Sequence, residues 1–315
     1  MNSTPYLAAV VRYPLAVAVH SAVLGWIEML DSVVPRILGW VPISWRTAII
    51  GRPDHPSRIA TIAHRFLNRL APHSSQSFAC HGALEGFRMS IDWNRFRSFV
   101  FGTWEPEIAN AVVDNVKPGM CVFDIGAHIG YYTLLFAKCV GPAGCVVSFE
   151  PLPANFALLQ KNVHMNNLLN VRLINQAAFS RTERITLNVP DEQPNPGSGS
   201  MSGPGGAKQC DVEAVSLDNF CASSLVFPDV LKLDVEGAEY DVLIGAQRTI
   251  SQYRPKLFIE LHHFDGVPDV PDAHPVPGLL ACWGYKVRWL ERWQLTSYIL
   301  ATHASPQAVA AGLKV

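Results

Sequence analysis

Acidic residues and histidines close four apolar segments of this sequence, and their side chains suit the binding of amines, hydroxyls and protons. In chain order, the segments end on Asp124, on Glu150, on Asp234 with Glu236, and on Glu260 with His262 and His263. A carboxylate accepts several hydrogen bonds, and an imidazole takes up or releases a proton near neutral pH. If the segments are parallel strands, their carboxyl ends share one edge of the sheet, where open α/β sheets bind ligands. The pattern therefore predicts a ligand site at that edge.

Two glycines follow the first of these acids and define the loop after it. Gly126 and Gly130 have His128 between them, so the G-x-G-x-x-G fingerprint of dinucleotide-binding loops is absent. The Asp124 carboxylate before this loop would repel a pyrophosphate, whereas it suits a cation or an amine. S-adenosylmethionine carries an α-amine, a sulfonium and a ribose diol, and it has no phosphate. The spacing therefore favours S-adenosylmethionine over NAD as the cofactor.

Glu150 ends the second segment and is the expected partner of the cofactor ribose. A carboxylate accepts hydrogen bonds from both ribose hydroxyls, and each charge-assisted bond contributes roughly 1.5–3 kcal/mol. The alternative for Glu150 is a solvated acid at a strand end. The alternative for Asp124 is an acid that accepts hydrogen bonds from the amides of the loop that follows it.

The last two groups of acids are the candidates for the acceptor side of a methyl transfer. Asp234 lies where its strand would meet the methyl group, so it is the first candidate for positioning the acceptor. Glu236 either joins the site or, with Glu239, begins the following helix, whose dipole favours acids there. His262 and His263 point to opposite faces of a strand, so at most one of them is expected to act as a base.

The charges around Asp234 raise two further points. Lys232 lies inside the same strand and, if buried, needs a carboxylate partner, for which Asp234 and Glu260 are suitably placed. Asp234, Glu236 and Glu260 would also be able to hold a divalent metal, which would orient acceptor hydroxyls and lower the pKa of one of them. We favour methyl transfer without a metal.

The segments that carry these residues alternate with helical patterns. Between residues 121 and 263, continuous apolar segments alternate with amphipathic ones, which predicts an α/β fold with a mostly parallel sheet and helices on both faces. Segments 285–290 and 296–302 predict a C-terminal antiparallel hairpin that closes the sheet.

Three other regions flank or interrupt this alternation. The alternating aromatic pattern of 78–101 predicts a hairpin, and 102–119 predicts a helix. Segments 184–190 and 210–217 predict paired strands. The insertion 191–209 between them is rich in Pro, Gly and Ser, and it is either a mobile lid or a plain loop.

The composition is that of a globular protein with a large core. Of 315 residues, 49% are hydrophobic and 16% are charged, which excludes global disorder. The formal net charge of −1 indicates no nucleic-acid partner. The seven cysteines include no C-x-x-C pair. We interpret Cys121 and Cys145, which lie in apolar segments, as buried thiols in a reducing, cytoplasmic compartment, without a disulfide or zinc site.

Residues 1–75 form an extension that is expected to be helical, apolar and basic, with seven arginines against three acids. Its apolar stretch 13–27 is shorter than the roughly 20 residues that a membrane span needs. It also lacks the flanks of a secretory signal. We expect a buried or partner-facing helix. The alternative is an interfacial helix that makes peripheral contact with the inner face of the membrane.

Several motifs together resemble the FkbM family of methyltransferases. The resemblance covers about residues 100–265, and its most specific element is the D-V-E-G-A-E block. The motifs are "GTWEPE", "VKPGMCVFDIGAHIGYYTLLFA", "SFEPLPANFALLQKNV", "SLDNF", "LKLDVEGAEYDVLIGA" and "PKLFIELH". His128 stands where similar sequences often have asparagine, a mild departure that leaves the interpretation of the loop intact. Residues 1–75 lie outside the resemblance.

The resemblance implies a class I, S-adenosylmethionine-dependent fold of the Rossmann-like type, and O-methylation of a hydroxyl on a sugar, glycolipid or natural product. A small molecule or a glycan is therefore the expected acceptor. The implied cofactor-binding residues are Glu105, Asp124, Gly126, Ala127, Gly130, Glu150 and Asp234. The candidate catalytic residues are Asp234, His262 and Glu236.

Two other functions remain as alternatives. A Rossmann-type NAD-dependent oxidoreductase is opposed by the missing central glycine. A non-catalytic, membrane-associated interaction protein is opposed by the intact row of acids. The chain is expected to divide into an extension (1–75), a methyltransferase domain (76–303) that includes the flexible insertion 191–209, and a C-terminal tail (304–315).

Overall fold

The structure, a computed structural model, covers most of the chain after the extension. It describes residues 76–189, 208–262, 274–292 and 296–303. The expectations for the extension 1–75, for His263, for the tail 304–315 and for the insertion up to residue 207 lie outside these residues. Within the described ranges, no helix combines the length and the apolar character that crossing a membrane requires.

The described residues form strands and helices in the predicted alternation. The strands are β1 (Gln76–Ala79), β2 (Arg88–Ile91), β3 (Cys121–Ile125), β4 (Cys145–Phe149), β5 (Val171–Ile174), β6 (Ala177–Ala178), β7 (Glu183–Val189), β8 (Lys208–Val215), β9 (Val230–Leu233), β10 (Lys256–His262), β11 (Tyr285–Arg292) and β12 (Thr296–His303). The helices are α1 (Trp93–Phe101), α2 (Pro106–Asn115), α3 (Tyr131–Val140), α4 (Pro153–Met165), α5 (Leu217–Ser224), α6 (Glu239–Gly245), α7 (Gln247–Tyr253) and α8 (Pro275–Cys282).

Seven strands form the central sheet, in the order β5-β4-β3-β9-β10-β12-β11. The strands from β5 to β10 in this order run parallel, and β12 is antiparallel to both of its neighbours. The strand order reverses at β3, because β4 lies on one side of it and β9 on the other. This arrangement confirms the predicted class I fold, with its mostly parallel sheet and C-terminal antiparallel hairpin.

Helices cover both faces of the sheet because its central strands are apolar on both. Phe123 and Leu231 belong to the core that packs under α5, α6, α7 and α8. Their chain neighbours Val122 and Val230 belong to the core that packs under α1, α2 and α3. All four side chains are at most 1% exposed. The continuous apolar segments of the sequence therefore reflect burial on two faces.

A small second sheet has the order β6-β8-β7. Its antiparallel β7–β8 pairing confirms the paired strands predicted on either side of the insertion. Residues 171–178 form two strands, β5 and β6, which belong to different sheets. The Asn175 side-chain amide between them donates to the carbonyls of Glu150 (2.8 Å) and Pro151 (3.1 Å), which turns the chain out of the central sheet.

The region 78–101 differs from its predicted hairpin in its second half. The strands β1 and β2 pair antiparallel, as expected. The residues after them form α1, whose Phe96, Phe99 and Val100 are buried at helical spacing. Aromatic content favours strands only weakly, and here the helical period of the buried positions decides the structure.

Cys121 and Cys145 stand opposite each other in β3 and β4 and form a disulfide. The interpretation of these residues as free buried thiols is therefore wrong. The two cysteines are 24 residues apart in the chain, and only the register of the two strands brings them together. Cys121 and Cys145 therefore give no support for a reducing compartment.

Candidate functional site

The acids predicted at strand ends meet at one edge of the central sheet. Asp124 pairs with Lys232 in the register of β3 and β9, and the Asp234 amide donates to the carbonyl of Ile125 (3.1 Å). His262 is the last residue of the neighbouring β10. The parallel strands thus place the cofactor candidates and the acceptor candidates side by side.

The loop after β3 makes a tight turn that glycine permits. Gly126 and Ala127 both donate their amides to the carbonyl of Phe149, at 3.0 and 2.9 Å. Gly126 has φ +80° and Gly130 has φ +99°, in the left-handed region that glycine adopts without strain. His128, between them, also has a positive φ (+51°). These conformations start α3 directly behind the carboxyl end of β3.

Gly126 is required for a second reason, because the β9 backbone passes against it. A Cβ at Gly126 would stand 1.8 Å from the Asp234 carbonyl oxygen. We expect Gly126→Ala to lower the free energy of unfolding by about 1–3 kcal/mol more than Gly86→Ala does. Gly86 is the matched control because it also has a positive φ (+95°) but has open space around its Cβ position. Urea denaturation of both variants gives the comparison, and equal losses would contradict the close approach.

Glu150 follows β4 and faces the same loop. Its Oε2 accepts from the His128 amide (2.9 Å), and its Oε1 accepts from the Leu152 amide (3.0 Å) and the Asn155 side chain (3.3 Å). The residue is 4% exposed. Burial raises the pKa of Glu150 to about 7, although these hydrogen bonds oppose the shift. A carboxylate offers about four acceptor positions, and three of those on Glu150 are occupied.

Asp124 is fully buried beneath the loop, so its closest partners are side chains. Thr133 Oγ1 donates to its Oδ2 (2.6 Å), and Lys232 Nζ lies 3.6 Å from its Oδ1. That Oδ1 has no hydrogen-bond partner within the described ranges. Burial raises the pKa of Asp124, whereas the Lys232 charge lowers it. Direct contact of Asp124 with a cofactor stays a prediction.

Lys232 joins Asp124 to the acceptor side of the site. Its Nζ donates to Asp234 Oδ2 (3.1 Å), which confirms the carboxylate partner expected for a buried lysine. Burial lowers the pKa of Lys232, but the Asp234 and Asp124 charges outweigh it and raise the pKa above its ordinary value. Burial raises the pKa of Asp234, but the Lys232 and His262 charges leave it below its ordinary value. Asp234 is therefore an ionised carboxylate at neutral pH.

These groups fit S-adenosylmethionine by their chemistry. The one acceptor position left on Glu150 suits a ribose hydroxyl, whereas Asp124 is fully buried and its Oδ1 lies 3.6 Å from Lys232 Nζ. The loop between them contributes no phosphate-binding glycine pattern. Gly126, Ala127 and Gly130 shape the backbone that separates the two carboxylates.

Glu105 belongs to a buried chain of tyrosines and carboxyls. Its Oε2 accepts from the Tyr132 hydroxyl (2.6 Å) and its Oε1 from the Tyr298 hydroxyl (2.8 Å). Tyr298 also contacts Glu260. Tyr298 has one proton, so one of its two contacts needs a protonated carboxyl. Burial and the Asp234 charge raise the pKa of Glu260 well above its ordinary value.

His262 is surrounded by acids from three directions. Its Nδ1 lies 2.8 Å from Glu239 Oε1, and its Nε2 lies 3.4 Å from Glu236 Oε2 and 3.8 Å from Glu260 Oε1. Burial lowers its pKa, but the three carboxylates raise it well above the ordinary value.

Glu236 turns toward the site and away from the start of α6. The helix begins at Glu239, whose carboxylate accepts from the Gly237 amide (2.9 Å). Glu236 has a left-handed φ of +52°, which directs its side chain to His262. The set of possible metal ligands also differs from the predicted one, since the structure groups His262, not Glu260, with Asp234 and Glu236.

Four residues that the structure places at the site were not predicted from the sequence as site residues. Thr133 and Tyr132 lie in the apolar start of α3, and Tyr298 lies in the C-terminal hairpin. Glu239 was considered only as a helix-start acid. The buried polar side chain in an apolar pattern is the one signal that would have identified Thr133, and no local pattern identifies Tyr298.

Comparison with known proteins gives one family and several distant relatives. Residues 124–287, just over half of the chain, match the methyltransferase FkbM domain. The 2-O-methyltransferase NoeI of Sinorhizobium fredii is 28% identical over 201 residues, which cover 54% of this chain and 76% of NoeI. Methyltransferase 1 of Beauveria bassiana is 28% identical over 145 residues, or 39% of this chain. The matched part spans 57% of that relative's length.

Among solved structures, the methyltransferase FkbM from Methylobacillus flagellatus is similar at 18% identity. The alignment has a TM-score of 0.42 and covers 68% of this chain and 56% of that chain.

Proposed function

The chain belongs to the FkbM family of methyltransferases, and from this premise we propose that it transfers a methyl group from S-adenosylmethionine to a hydroxyl. The observation that carries the proposal is the buried Glu150 carboxylate, which faces the glycine loop and keeps one acceptor position for a ribose hydroxyl. The name of NoeI, a 2-O-methyltransferase, supports transfer to an oxygen. We further propose that the acceptor is a small molecule or glycan.

The cofactor side of the proposed site consists of the glycine loop and the acids around it. Glu150 binds the ribose, and Gly126, Ala127 and Gly130 let the backbone pass close to the cofactor. Asp124 contributes indirectly, because its contact with Lys232 positions the lysine that in turn binds Asp234. Glu105, held by Tyr132 and Tyr298, forms the wall between this side and Glu260.

The acceptor side is organised around Asp234. When bound, S-adenosylmethionine supplies a methyl group on a sulfonium, whose carbon–sulfur bond breaks as the new carbon–oxygen bond forms. Asp234 is ionised and about a quarter exposed (26%), so it accepts a hydrogen bond from the acceptor hydroxyl and takes its proton during the transfer. Lys232 keeps the carboxylate in place (3.1 Å). Positioning of this kind contributes about 7–11 kcal/mol to rate enhancements in general.

Calorimetry with S-adenosylhomocysteine tests the cofactor half of the proposal. We expect one product molecule bound per chain. Incubation with methyl-labelled S-adenosylmethionine and a panel of glycans and hydroxylated small molecules tests the transfer, and the labelled bond is expected to be an alkali-stable ether. A chain that binds NADH and does not bind S-adenosylhomocysteine would instead support the oxidoreductase alternative.

Binding of S-adenosylhomocysteine is expected to depend on pH through Glu150. Its pKa of about 7 in the free protein means that the carboxylate becomes protonated as the pH falls below 7. The charged form accepts ribose hydrogen bonds best, so the affinity should fall by up to about tenfold for each pH unit below 7. Calorimetry between pH 5.5 and 8 measures this slope.

Glu150→Gln is the control for the assignment of this slope, because Glu105 also has a pKa raised to about 7 by burial. The slope should vanish in Glu150→Gln. If it persists there, Glu105 or another group causes it.

A further inference from the structure

Three side chains that could ligate a metal converge on the acceptor side of the site. Asp234 follows β9, Glu236 lies in the loop after it, and His262 ends β10. One donor atom from each lies within 4.8 Å of the other two. The Asp234 and Glu236 side chains are 26% and 38% exposed, and His262 is 12% exposed. The donors are therefore partly exposed and are not sealed in the core.

Glu239 orients His262 through a hydrogen bond of the kind that is common beside metal-binding histidines. Its carboxylate is 1% exposed and accepts a hydrogen bond of 2.8 Å from the Nδ1–H group of His262. A carboxylate accepts only, so Nδ1 carries a proton and Nε2 is the ring atom that faces Glu236. Histidines that bind metals almost always donate their other ring N–H to a carboxylate, carbonyl or water. This pairing is independent of the exposed acids.

The charge of the cluster also suits a divalent ion. Glu236, Glu239 and Glu260 all lie within 4 Å of the His262 ring. Lys232 is engaged by Asp124 and Asp234, on the other side of the cluster. A divalent cation at Nε2 would balance more of this negative charge than a single proton does.

The donor types narrow the choice of cation. One imidazole nitrogen and two carboxylate oxygens suit Zn²⁺ or Mn²⁺, whereas Mg²⁺ prefers oxygen ligands and retains its waters. Catalytic zinc sites use three protein ligands and leave further positions open for water or substrate. The cluster of Asp234, Glu236 and His262 has this composition.

We propose that Asp234, Glu236 and His262 bind a divalent cation of the Mn²⁺ or Zn²⁺ type, with Glu239 as the residue that positions His262. The binding of the cation stands on these contacts alone. Its role rests on the proposed function: the cation holds the acceptor hydroxyl, lowers its pKa so that its proton passes to solvent, and leaves the oxygen to take the methyl group. In the cation-bound state, Asp234 orients the acceptor through the cation.

Electron paramagnetic resonance with Mn²⁺ tests the site on the untagged full chain after treatment with a chelator. We expect one Mn²⁺ per chain, with Zn²⁺ competing for the same site. His262→Ala and Asp234→Asn should abolish this binding. Glu239→Gln should weaken it by about 10–100-fold, as expected of a residue that orients a metal-binding histidine. Glu183→Gln is the control and should bind Mn²⁺ normally, because Glu183 is an exposed acid on β7 that lies 3.7 Å from Arg181.

Binding of S-adenosylhomocysteine by the same preparations separates the two proposals and checks that each variant is folded. A wild-type chain that binds S-adenosylhomocysteine but neither Mn²⁺ nor Zn²⁺ overturns the cation site and leaves the proposed function standing. A wild-type chain that binds Mn²⁺ but does not bind S-adenosylhomocysteine supports the cation site and overturns the proposed function. Undiminished Mn²⁺ affinity in folded His262→Ala also overturns the assignment.

Discussion

Lys232→Met is expected to lower the free energy of unfolding by about 3–5 kcal/mol, the usual cost of removing one partner from a buried ion pair. Lys232 is 4% exposed and Asp124 is fully buried. Methionine fills the space of the lysine stem but leaves the Asp124 charge without its cation. Urea denaturation measured at pH 8 gives the size of the loss.

The loss should also depend on pH in a defined direction. Burial raises the pKa of Asp124, and removal of the Lys232 charge raises that pKa further. Folding then favours a protonated Asp124, so the variant should lose stability as the pH rises and regain part of it at pH 6.

Two comparisons separate this effect from a general packing defect. Lys286→Met, at an exposed position on β11, should change stability by no more than about 0.5 kcal/mol. Asp124→Asn combined with Lys232→Met should recover part of the loss, because the buried charge is then absent. A double variant as unstable as the sum of the two single variants would show that the pair is not coupled.

Glu150→Ala is expected to weaken S-adenosylhomocysteine binding by about 10- to 10²-fold. The variant removes a carboxylate whose one free acceptor position makes a charge-assisted hydrogen bond to a ribose hydroxyl, worth roughly 1.5–3 kcal/mol. It also releases the His128 and Leu152 amides, so some disorder of the glycine loop adds to the loss. Calorimetry with S-adenosylhomocysteine at pH 8 measures the change.

Glu213→Ala is the matched control for this measurement. Glu213 is an acid on β8 with a 64% exposed side chain and a long contact to Arg184 (4.0 Å), and its removal should leave the affinity unchanged. The unfolding free energy of Glu150→Ala shows whether the variant is folded. A folded Glu150→Ala with wild-type affinity would exclude Glu150 as the ribose ligand.

The sequence by itself determined which segments form the central strands and which acids stand at their ends. Apolar segments buried on both faces predict parallel strands, and Asp124, Glu150 and Asp234 at their ends predict the edge where ligands bind. The prediction of parallel strands is confirmed because the apolar pattern and the polarity of a strand can be read within one segment, whereas ligand binding at this edge stays a prediction. The glycine spacing after β3 is local in the same sense.

Only the tertiary structure decided which of these residues touch. Tyr298 reaches Glu105 across 193 positions of the chain, and His262 reaches Glu239 from a different element. The Cys121–Cys145 disulfide follows from the same cause, since the register of neighbouring strands sets the contact. The sequence predicts which end of each strand carries the candidate site residues. The order of strands and the burial between them fix the hydrogen bonds and the position of the three acids around His262.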